Sequence, residues 1–289
     1  MQYRKDRKGN DISLLGFGCM RFEGSGTGEY FQKANDQVME AIRQGINYFD
    51  TAYVYKNNEK VLGRILAENN CRDQIYIATK LPQYMVRSVA QAEKIFNQEL
   101  ELLQTDHIDY YLMHMLNDLA SWNRLKAMGL EDWIKEKMDS GKIRNIGFSY
   151  HGNTENFKPV VDAFDWDFCQ IQYNYLDENS QAGRRGLHYA AERGIPVMIM
   201  EPLRGGKLVN LLPEDPSGRS AAEWAFRWLW NQPEVTTVLS GMNSVEMVQE
   251  NCRAASETKA GSFTAEEEQF IDSLRDAINH SMKVGCTGC

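Results

Sequence analysis

The feature that most constrains the fold of this chain is a strand followed by a helix, repeated eight times without a break in composition. Strands that alternate with amphipathic helices form a parallel sheet, because each helix returns the chain to the start of the next strand. Eight such units predict closure into a (β/α)8 barrel, and an open, doubly wound sheet is the alternative. The predicted strands are Leu14–Phe17, Asn47–Phe49, Gln74–Thr79, Ile108–Met113, Ile143–Phe148, Phe168–Gln172, Pro196–Met200 and Val235–Leu239.

Two further segments flank these repeats. Tyr3–Ile12 is polar with a central glycine and predicts a short N-terminal hairpin. Phe263–His280 predicts one extra helix at the C-terminal side of the barrel. A length of 289 residues suits a single barrel. We therefore predict a barrel domain over residues 1–280 and the start of a different segment over residues 281–289.

A glycine-rich loop, Gly18–Tyr30, follows the first predicted strand. The first helix is predicted to begin at Asn35 or Asp36, since either side chain can cap it. The glycines at 24, 26 and 28 lack the GxGxxG spacing of a phosphate-binding turn. The sequence thus predicts a loop at the mouth of the barrel that contacts substrate rather than phosphate.

Composition excludes several classes of protein. The net charge of -8 argues against nucleic acid as a partner, because nucleic-acid-binding proteins present a basic face. The N-terminus is too polar for a signal peptide, and no apolar run approaches the ~20 residues that a membrane helix needs. Four of the six cysteines are scattered singly, unlike a disulfide framework. We expect a cytoplasmic protein without a membrane partner.

Polar side chains stand at the ends of three successive strands. Asp50, Lys80 and His114 each follow the last apolar residues of a strand, and Tyr55 lies in the loop after Asp50. Catalytic groups of (β/α)8 enzymes come from this end of the strands. A phenol is a weak acid near neutral pH unless an ammonium stabilises its phenolate, and a carboxylate can hold that ammonium. Each residue alone could be structural, for example a salt bridge at the barrel rim. The four together predict Tyr55 as the proton donor and Lys80 as the ammonium that adjusts its pKa. Asp50 is predicted to hold Lys80 in place, and His114 to orient a carbonyl oxygen by a hydrogen bond.

These residues lie in segments that resemble the aldo-keto reductases. The resemblance covers most of the chain, from about Leu14 to Asn251. It implies a reductase that transfers hydride between NAD(P)H and an aldehyde, ketone or alcohol, with the four roles just described. The segments that carry it are Gly45–Tyr55, Glu59–Gly63, Ala78–Leu81 and Asp109–His114.

The same resemblance implies a set of cofactor contacts. Ser149 and Gln170 correspond to ligands of the nicotinamide carboxamide, and Tyr150 stands where the family usually has asparagine. Met200 stands where the family often has an aromatic ring. The family's cations near Gly241 and Met247, which bind a 2′-phosphate, are absent. We therefore expect NADP or NAD as the cofactor, with a weak or absent preference for NADPH. The full predicted set is Met20, Arg21, Asp50, Ser149, Gln170, Met200, Glu201, Leu203, Arg204, Gly206, Lys207, Gly241, Met242, Asn243, Glu250 and Asn251.

The last four residues form a CxxC motif, Cys286-Thr287-Gly288-Cys289. One branch of the aldo-keto reductases resembles this chain in carrying a ferredoxin-like extension that opens with such a motif and binds [4Fe-4S] clusters. The resemblance implies that Cys286 and Cys289 are metal ligands only in a longer native chain. Two thiolates do not complete a four-thiolate cluster, so we expect no intact cluster in this chain.

Two alternative functions fit the same residues. An iron–sulfur extension would make the protein an electron-transfer oxidoreductase with a redox partner. A nucleotide-sensing role, like that of β subunits related to this family, would retain the site without turnover. The physiological substrate and the oligomeric state are open. Loop residues that suggest an apolar substrate pocket, with ordinary packing as the alternative, are Tyr30, Phe31, Tyr84, Met85 and Trp122.

Overall fold

A computed structural model describes residues 1–23, 27–210, 215 and 217–281. Eight parallel strands close into a barrel in the order of the sequence, so the prediction of a (β/α)8 barrel is confirmed and the open sheet is wrong. The last strand pairs with the first through Val238 and Leu15, which completes the circle. The barrel strands are β3 (Leu15–Gly18), β4 (Tyr48–Asp50), β5 (Tyr76–Leu81), β6 (Ile108–Met113), β7 (Ile143–Tyr150), β8 (Phe168–Gln172), β9 (Val197–Met200) and β10 (Val235–Ser240).

The helices surround this barrel, as strand–helix alternation requires. None of the described helices combines the length and apolarity that crossing a bilayer requires. The extra C-terminal helix is also confirmed, and it packs on the barrel through buried Ile271 and Leu274. The described helices are α1 (Gly28–Arg43), α2 (Asn58–Glu68), α3 (Val89–Leu103), α4 (Leu119–Ala127), α5 (Leu130–Asp139), α6 (Thr154–Asp162), α7 (Gly183–Glu192), α8 (Ala221–Trp230), α9 (Val245–Glu257) and α10 (Ala265–Ser281).

The N-terminal hairpin closes the floor of the barrel. Its strands are β1 (Tyr3–Lys5) and β2 (Asp11–Ser13), paired antiparallel as predicted. Arg4 donates to the carbonyl of Gln232 at 2.6 Å, and Asp6 accepts a 2.6 Å hydrogen bond from the hydroxyl of Tyr110 inside the barrel. With the floor covered, the barrel interior is open at the carboxyl ends of the strands.

The first helix begins earlier than predicted. Helix α1 starts at Gly28 instead of Asn35 or Asp36, because Phe31, Ala34 and Val38 recur at helical spacing and are buried. The predicted glycine-rich loop is therefore shorter, and its residues 24–26 lie outside the described part of the chain.

Helix α4 contains Trp122, which the sequence predicts to lie in a loop. Its N-cap is Asp118, which accepts a 2.7 Å hydrogen bond from the backbone of Ser121. The helix buries Trp122, which is 1% exposed, and Phe31 of α1 is 7% exposed. Of the two interpretations given for these residues, ordinary packing holds for Phe31 and Trp122, since both belong to the packed core. Tyr30, Tyr84 and Met85 are exposed, although Tyr30 lies in α1 and not in a loop.

Gly63 sets the distance between α2 and α3. A Cβ at this position would lie 2.3 Å from the carbonyl oxygen of Leu102, so the two helices are in backbone contact. We expect Gly63→Ala to destabilise the protein by about 3 kcal/mol, since backbone cannot yield as a side chain does. Urea unfolding will measure this, with Lys60→Ala on the exposed face of α2 as the control. A loss equal to that of the control would contradict the contact.

Candidate active site

The four predicted catalytic residues converge at the open end of the barrel. Asp50 ends β4, Lys80 lies near the end of β5, and His114 follows β6. Adjacent parallel strands bring these positions together, with Asp50 opposite Ala78 and Lys80 opposite Leu112. Tyr55 lies in the turn between Asp50 and α2, and its ring centroid is 5.2 Å from the Lys80 ammonium. The structure therefore assembles the four side chains around one phenol.

Lys80 is held entirely by acceptors inside the barrel. Its Nζ donates to both carboxylate oxygens of Asp50 at 2.7 Å and to the carbonyl of Thr51 at 2.6 Å. Burial lowers the pKa of Lys80, but the charge of Asp50 and the interaction with Tyr55 outweigh it, so the pKa lies above its ordinary value. The ammonium is therefore a fixed positive charge beside Tyr55.

Tyr55 remains a phenol at neutral pH. The charge of Lys80 lowers its pKa, as the sequence predicted. Burial and the charges of Asp50 and Glu201 act in the opposite direction and are together larger, so the net pKa is raised. Lys80 thus favours the phenolate in the expected direction, but its effect on the pKa of Tyr55 is smaller than the combined opposing effects. A protonated Tyr55 is the form that can donate a proton.

His114 is a neutral imidazole. Burial, followed by the charges of Lys80 and His151, lowers its pKa to about 3. Its ring meets that of Tyr55 edge-on, with centroids 6.2 Å apart. The buried Nδ1 has no hydrogen-bond partner among the described residues. A neutral imidazole beside the phenol can offer one N–H to a carbonyl oxygen without competing for the proton.

A cleft of about 530 Å³ opens above Tyr55 and runs over the ends of the strands on the far side of the barrel. Its volume lies in the range of sites that enclose a small molecule or a cofactor. Eleven of the predicted site residues line it, namely Met20, Arg21, Asp50, Tyr55, Gln170, Met200, Glu201, Leu203, Gly206, Gly241 and Asn243.

Comparison with known proteins identifies the family of this chain. Residues 14–217 match the family model that is described as "Aldo/keto reductase family". The chain belongs to this family. It is 26% identical over 301 residues to L-galactose dehydrogenase of Arabidopsis thaliana, covering 94% of this chain and 93% of that protein. It is 24% identical over 271 residues to the NADH-specific methylglyoxal reductase of Escherichia coli, covering 76% and 81%. The holo form of aldo-keto reductase AKR11C1 from Bacillus halodurans has a TM-score of 0.77 at 26% identity, covering 95% and 96%.

Several predicted cofactor residues of this aldo/keto reductase do not form the wall of the cleft. Ser149 accepts a 2.9 Å hydrogen bond from the backbone of Met115. Arg204 pairs with Asp177 at 3.2 Å, and Lys207 is exposed. Met242 is buried, Glu250 is exposed, and Asn251 donates to the hydroxyl of Ser240 at 3.4 Å. Their assignment to a cofactor stays a prediction.

Arg21 is the one arginine or lysine among the described residues that line the cleft. Its side chain lies flat on Gly241, where an added Cβ would approach Arg21 Cγ to 2.6 Å. Its guanidinium donates to the carbonyl of Gly205 at 3.4 Å. Arg21 thus spans the loops that follow β9 and β10, and it brings positive charge to this side of the cleft.

The other end of the cleft fits a carboxamide. Gln170 is buried and lines the cleft, and its Oε1 has no partner among the described residues. Such an oxygen requires a donor, which an amide ligand supplies. Tyr150 does not take part, because its hydroxyl donates to the carbonyl of Asn153 and its ring packs on Phe157 at 4.9 Å.

Sequence reasoning missed His151 as a lining residue. It follows β7 directly, the position that singled out Asp50 and His114 on other strands, so the same rule could have found it. Burial lowers its pKa, and Lys80 contributes in the same direction, although Glu201 and Gln181 oppose them. A second neutral imidazole therefore borders the site.

Proposed function

We propose that this aldo/keto reductase reduces an aldehyde or ketone to an alcohol with a nicotinamide cofactor, or performs the reverse oxidation. The observation that carries the proposal is a protonated phenol, Tyr55, beside a buried Lys80–Asp50 ion pair at the base of a cleft. The family and the name of the methylglyoxal reductase relative support the reaction class.

The residues of the cleft suit the cofactor in different ways. Gln170 and Met200 would meet the nicotinamide end, where Gln170 offers its free carbonyl oxygen. Arg21 would face the negatively charged phosphates of the cofactor, and Asn243 and Gly241 would border the rest of the dinucleotide. When bound, the nicotinamide supplies or accepts the hydride.

Tyr55 then carries the proton. Its hydroxyl donates to the carbonyl oxygen as negative charge develops there, and Lys80 stabilises the phenolate that results. Asp50 keeps the ammonium at that position through two hydrogen bonds. His114 donates an N–H to the same oxygen and fixes the carbonyl relative to Tyr55. In the oxidation direction the same phenolate accepts the proton.

The direct test is turnover. Purified protein will be assayed with NADH and NADPH against small aldehydes, dicarbonyl compounds and ketones by following the cofactor absorbance, and cofactor binding will be measured by calorimetry. Reduction of any carbonyl class above the uncatalysed rate supports the proposal. Dinucleotide binding without turnover over the whole panel would instead support the nucleotide-sensing alternative.

We expect NADH to serve at least as well as NADPH. The segment around Gly241 and Met247 borders the cleft without a lysine or arginine, which a 2′-phosphate would require. We expect Met247→Arg to improve kcat/KM for NADPH by roughly tenfold, the value of one charge-assisted hydrogen bond, and to leave NADH unchanged. A wild-type preference for NADPH would contradict this.

The iron–sulfur extension also stays a proposal. It rests on the spacing of Cys286 and Cys289, both outside the described residues. These two cysteines supply half of the four thiolates that a cluster needs. Within the described part of the chain, no group of three or more metal-binding side chains occurs. Iron and sulfide analysis of the native protein, purified without oxygen, tests the extension and any electron-transfer partner. An iron content near zero would exclude both.

A further inference from the structure

Two buried carboxyl groups lie directly behind Lys80, on the outside of the barrel wall. Glu59 of α2 is 3% exposed and Glu99 of α3 is fully buried. The contact at Gly63 brings the two helices together, one helical turn beyond each glutamate. Both carboxyls therefore share one compartment between the barrel and its helices.

The compartment contains two hydroxyl groups from the barrel strands. Thr79 donates to Glu59 Oε1 at 2.6 Å, and Tyr111 donates to Glu99 Oε2 at 2.6 Å. The other oxygen of Glu99, Oε1, has no partner among the described residues although it is buried.

A proton on Glu99 resolves this arrangement. Protonation removes a buried negative charge at the carboxyl group whose Oε1 has no partner, while Tyr111 still donates to Oε2. Two buried carboxylates would otherwise repel each other without compensation.

The electrostatics of the compartment also favour a protonated Glu99. Burial and the charge of Glu59 raise the pKa of Glu99 well above its ordinary value. Burial raises the pKa of Glu59 to about 7, against the opposing effects of Thr79 and Lys80. The charge of Lys80 acts on both carboxyl groups, and Glu93 of α3 acts on Tyr111. Glu99 therefore stays neutral while Glu59 gains its charge close to neutral pH.

Thr79 and Lys80 are neighbours in β5, so their side chains point to opposite faces of the strand. The pair is thus separated from the catalytic ammonium by the thickness of the barrel wall. We propose that Glu59 and Glu99 form a buried proton-binding pair whose charge acts on Lys80, and that it sets the pH dependence of proton transfer at Tyr55. Both are positioning residues, since neither contacts the cleft.

The direction of the effect follows from the charges. Below about pH 7 the pair is neutral and Lys80 acts on the Tyr55 proton at full strength. Above it, ionised Glu59 weakens that field, Tyr55 becomes a weaker acid, and reduction slows. We expect kcat for carbonyl reduction to fall roughly threefold from about pH 6 to about pH 8 in the wild type. The fall should be absent in the neutral variant Glu59→Gln/Glu99→Gln.

Infrared spectroscopy tests the pair without turnover. The wild type at about pH 6 should show the carbonyl band of a protonated carboxyl group, and the double variant should lack it. Glu101→Gln, which removes an exposed charge from α3, should keep both the band and the pH profile. If the double variant does not fold, Glu99→Gln replaces it, since the amide is neutral and close in size to the acid, and the band should weaken.

Two results would overturn the proposal. One is a wild-type spectrum without a protonated carboxyl band that depends on Glu99. The other is a pH profile of the folded variant that parallels the wild type. The link to Tyr55 rests on the proposed function, so a wild type without reductase activity would refute that function. The infrared result would still decide whether the pair holds a proton.

Discussion

Tyr55→Phe is expected to lower kcat for carbonyl reduction by roughly 10²–10⁴-fold, the usual contribution of a general acid. The substitution removes one oxygen and leaves the ring, which packs 5.2 Å from the Lys80 ammonium and edge-on to His114. The cleft keeps its shape and its cofactor-facing residues. The dissociation constant for the dinucleotide should therefore stay within about twofold of the wild type, since the loss concerns the proton and not binding.

Tyr53 provides a matched control two residues away. Its hydroxyl donates to Gln98 at 3.2 Å, outside the site. Tyr53→Phe removes the same atom from the same turn and should leave kcat unchanged. Equal activity of Tyr55→Phe and wild type, with cofactor binding intact in both, would show that another group supplies the proton. His151 would then be the first to examine, because it borders the same cleft.

The barrel and the main site residues could be predicted because both depend on local patterns. Strand–helix alternation determines the parallel order, and parallel order places Asp50, Lys80 and His114 at one end of the barrel. Neither inference requires knowledge of side-chain packing. His151 satisfies the same positional rule and was missed only because the rule was not applied to β7.

Other features depend on contacts that no local pattern carries. The start of α1 and the presence of α4 are decided by the burial of Phe31 and Trp122 against the core, which outweighs the capping signal at Asn35. The direction of the Tyr55 pKa depends on the balance between Lys80 and burial, and sequence specifies only the first. Glu99 looked like one polar residue in a helix, yet it is fully buried beside Tyr111.

Lys80→Met is expected to remove activity and to destabilise the protein by about 3–5 kcal/mol, because Asp50 would remain as a buried charge without its partner. Asp50 is 4% exposed, so water cannot replace the two lost hydrogen bonds. Burial already raises the pKa of Asp50, and without Lys80 it should rise further. At a pH below the pKa that the carboxyl group has in the unfolded chain, a raised folded-state pKa does not lower stability. As the pH rises above that value, the folded protein becomes increasingly less stable. The deficit in unfolding free energy should therefore be small at about pH 4 and grow toward neutral pH.

The double variant Asp50→Asn/Lys80→Met separates charge from packing. It removes the unpaired carboxylate while keeping nearly the same volume, so it should recover part of the stability lost in Lys80→Met and should flatten the dependence on pH. It should recover no reductase activity, since no ammonium stands beside Tyr55. Urea unfolding of the wild type, both single variants and the double variant at about pH 4 and about pH 7 completes the cycle. If Lys80→Met were as stable as the wild type at neutral pH, the ion pair would contribute no net stability, and the function of Lys80 would lie solely in its charge next to the phenol.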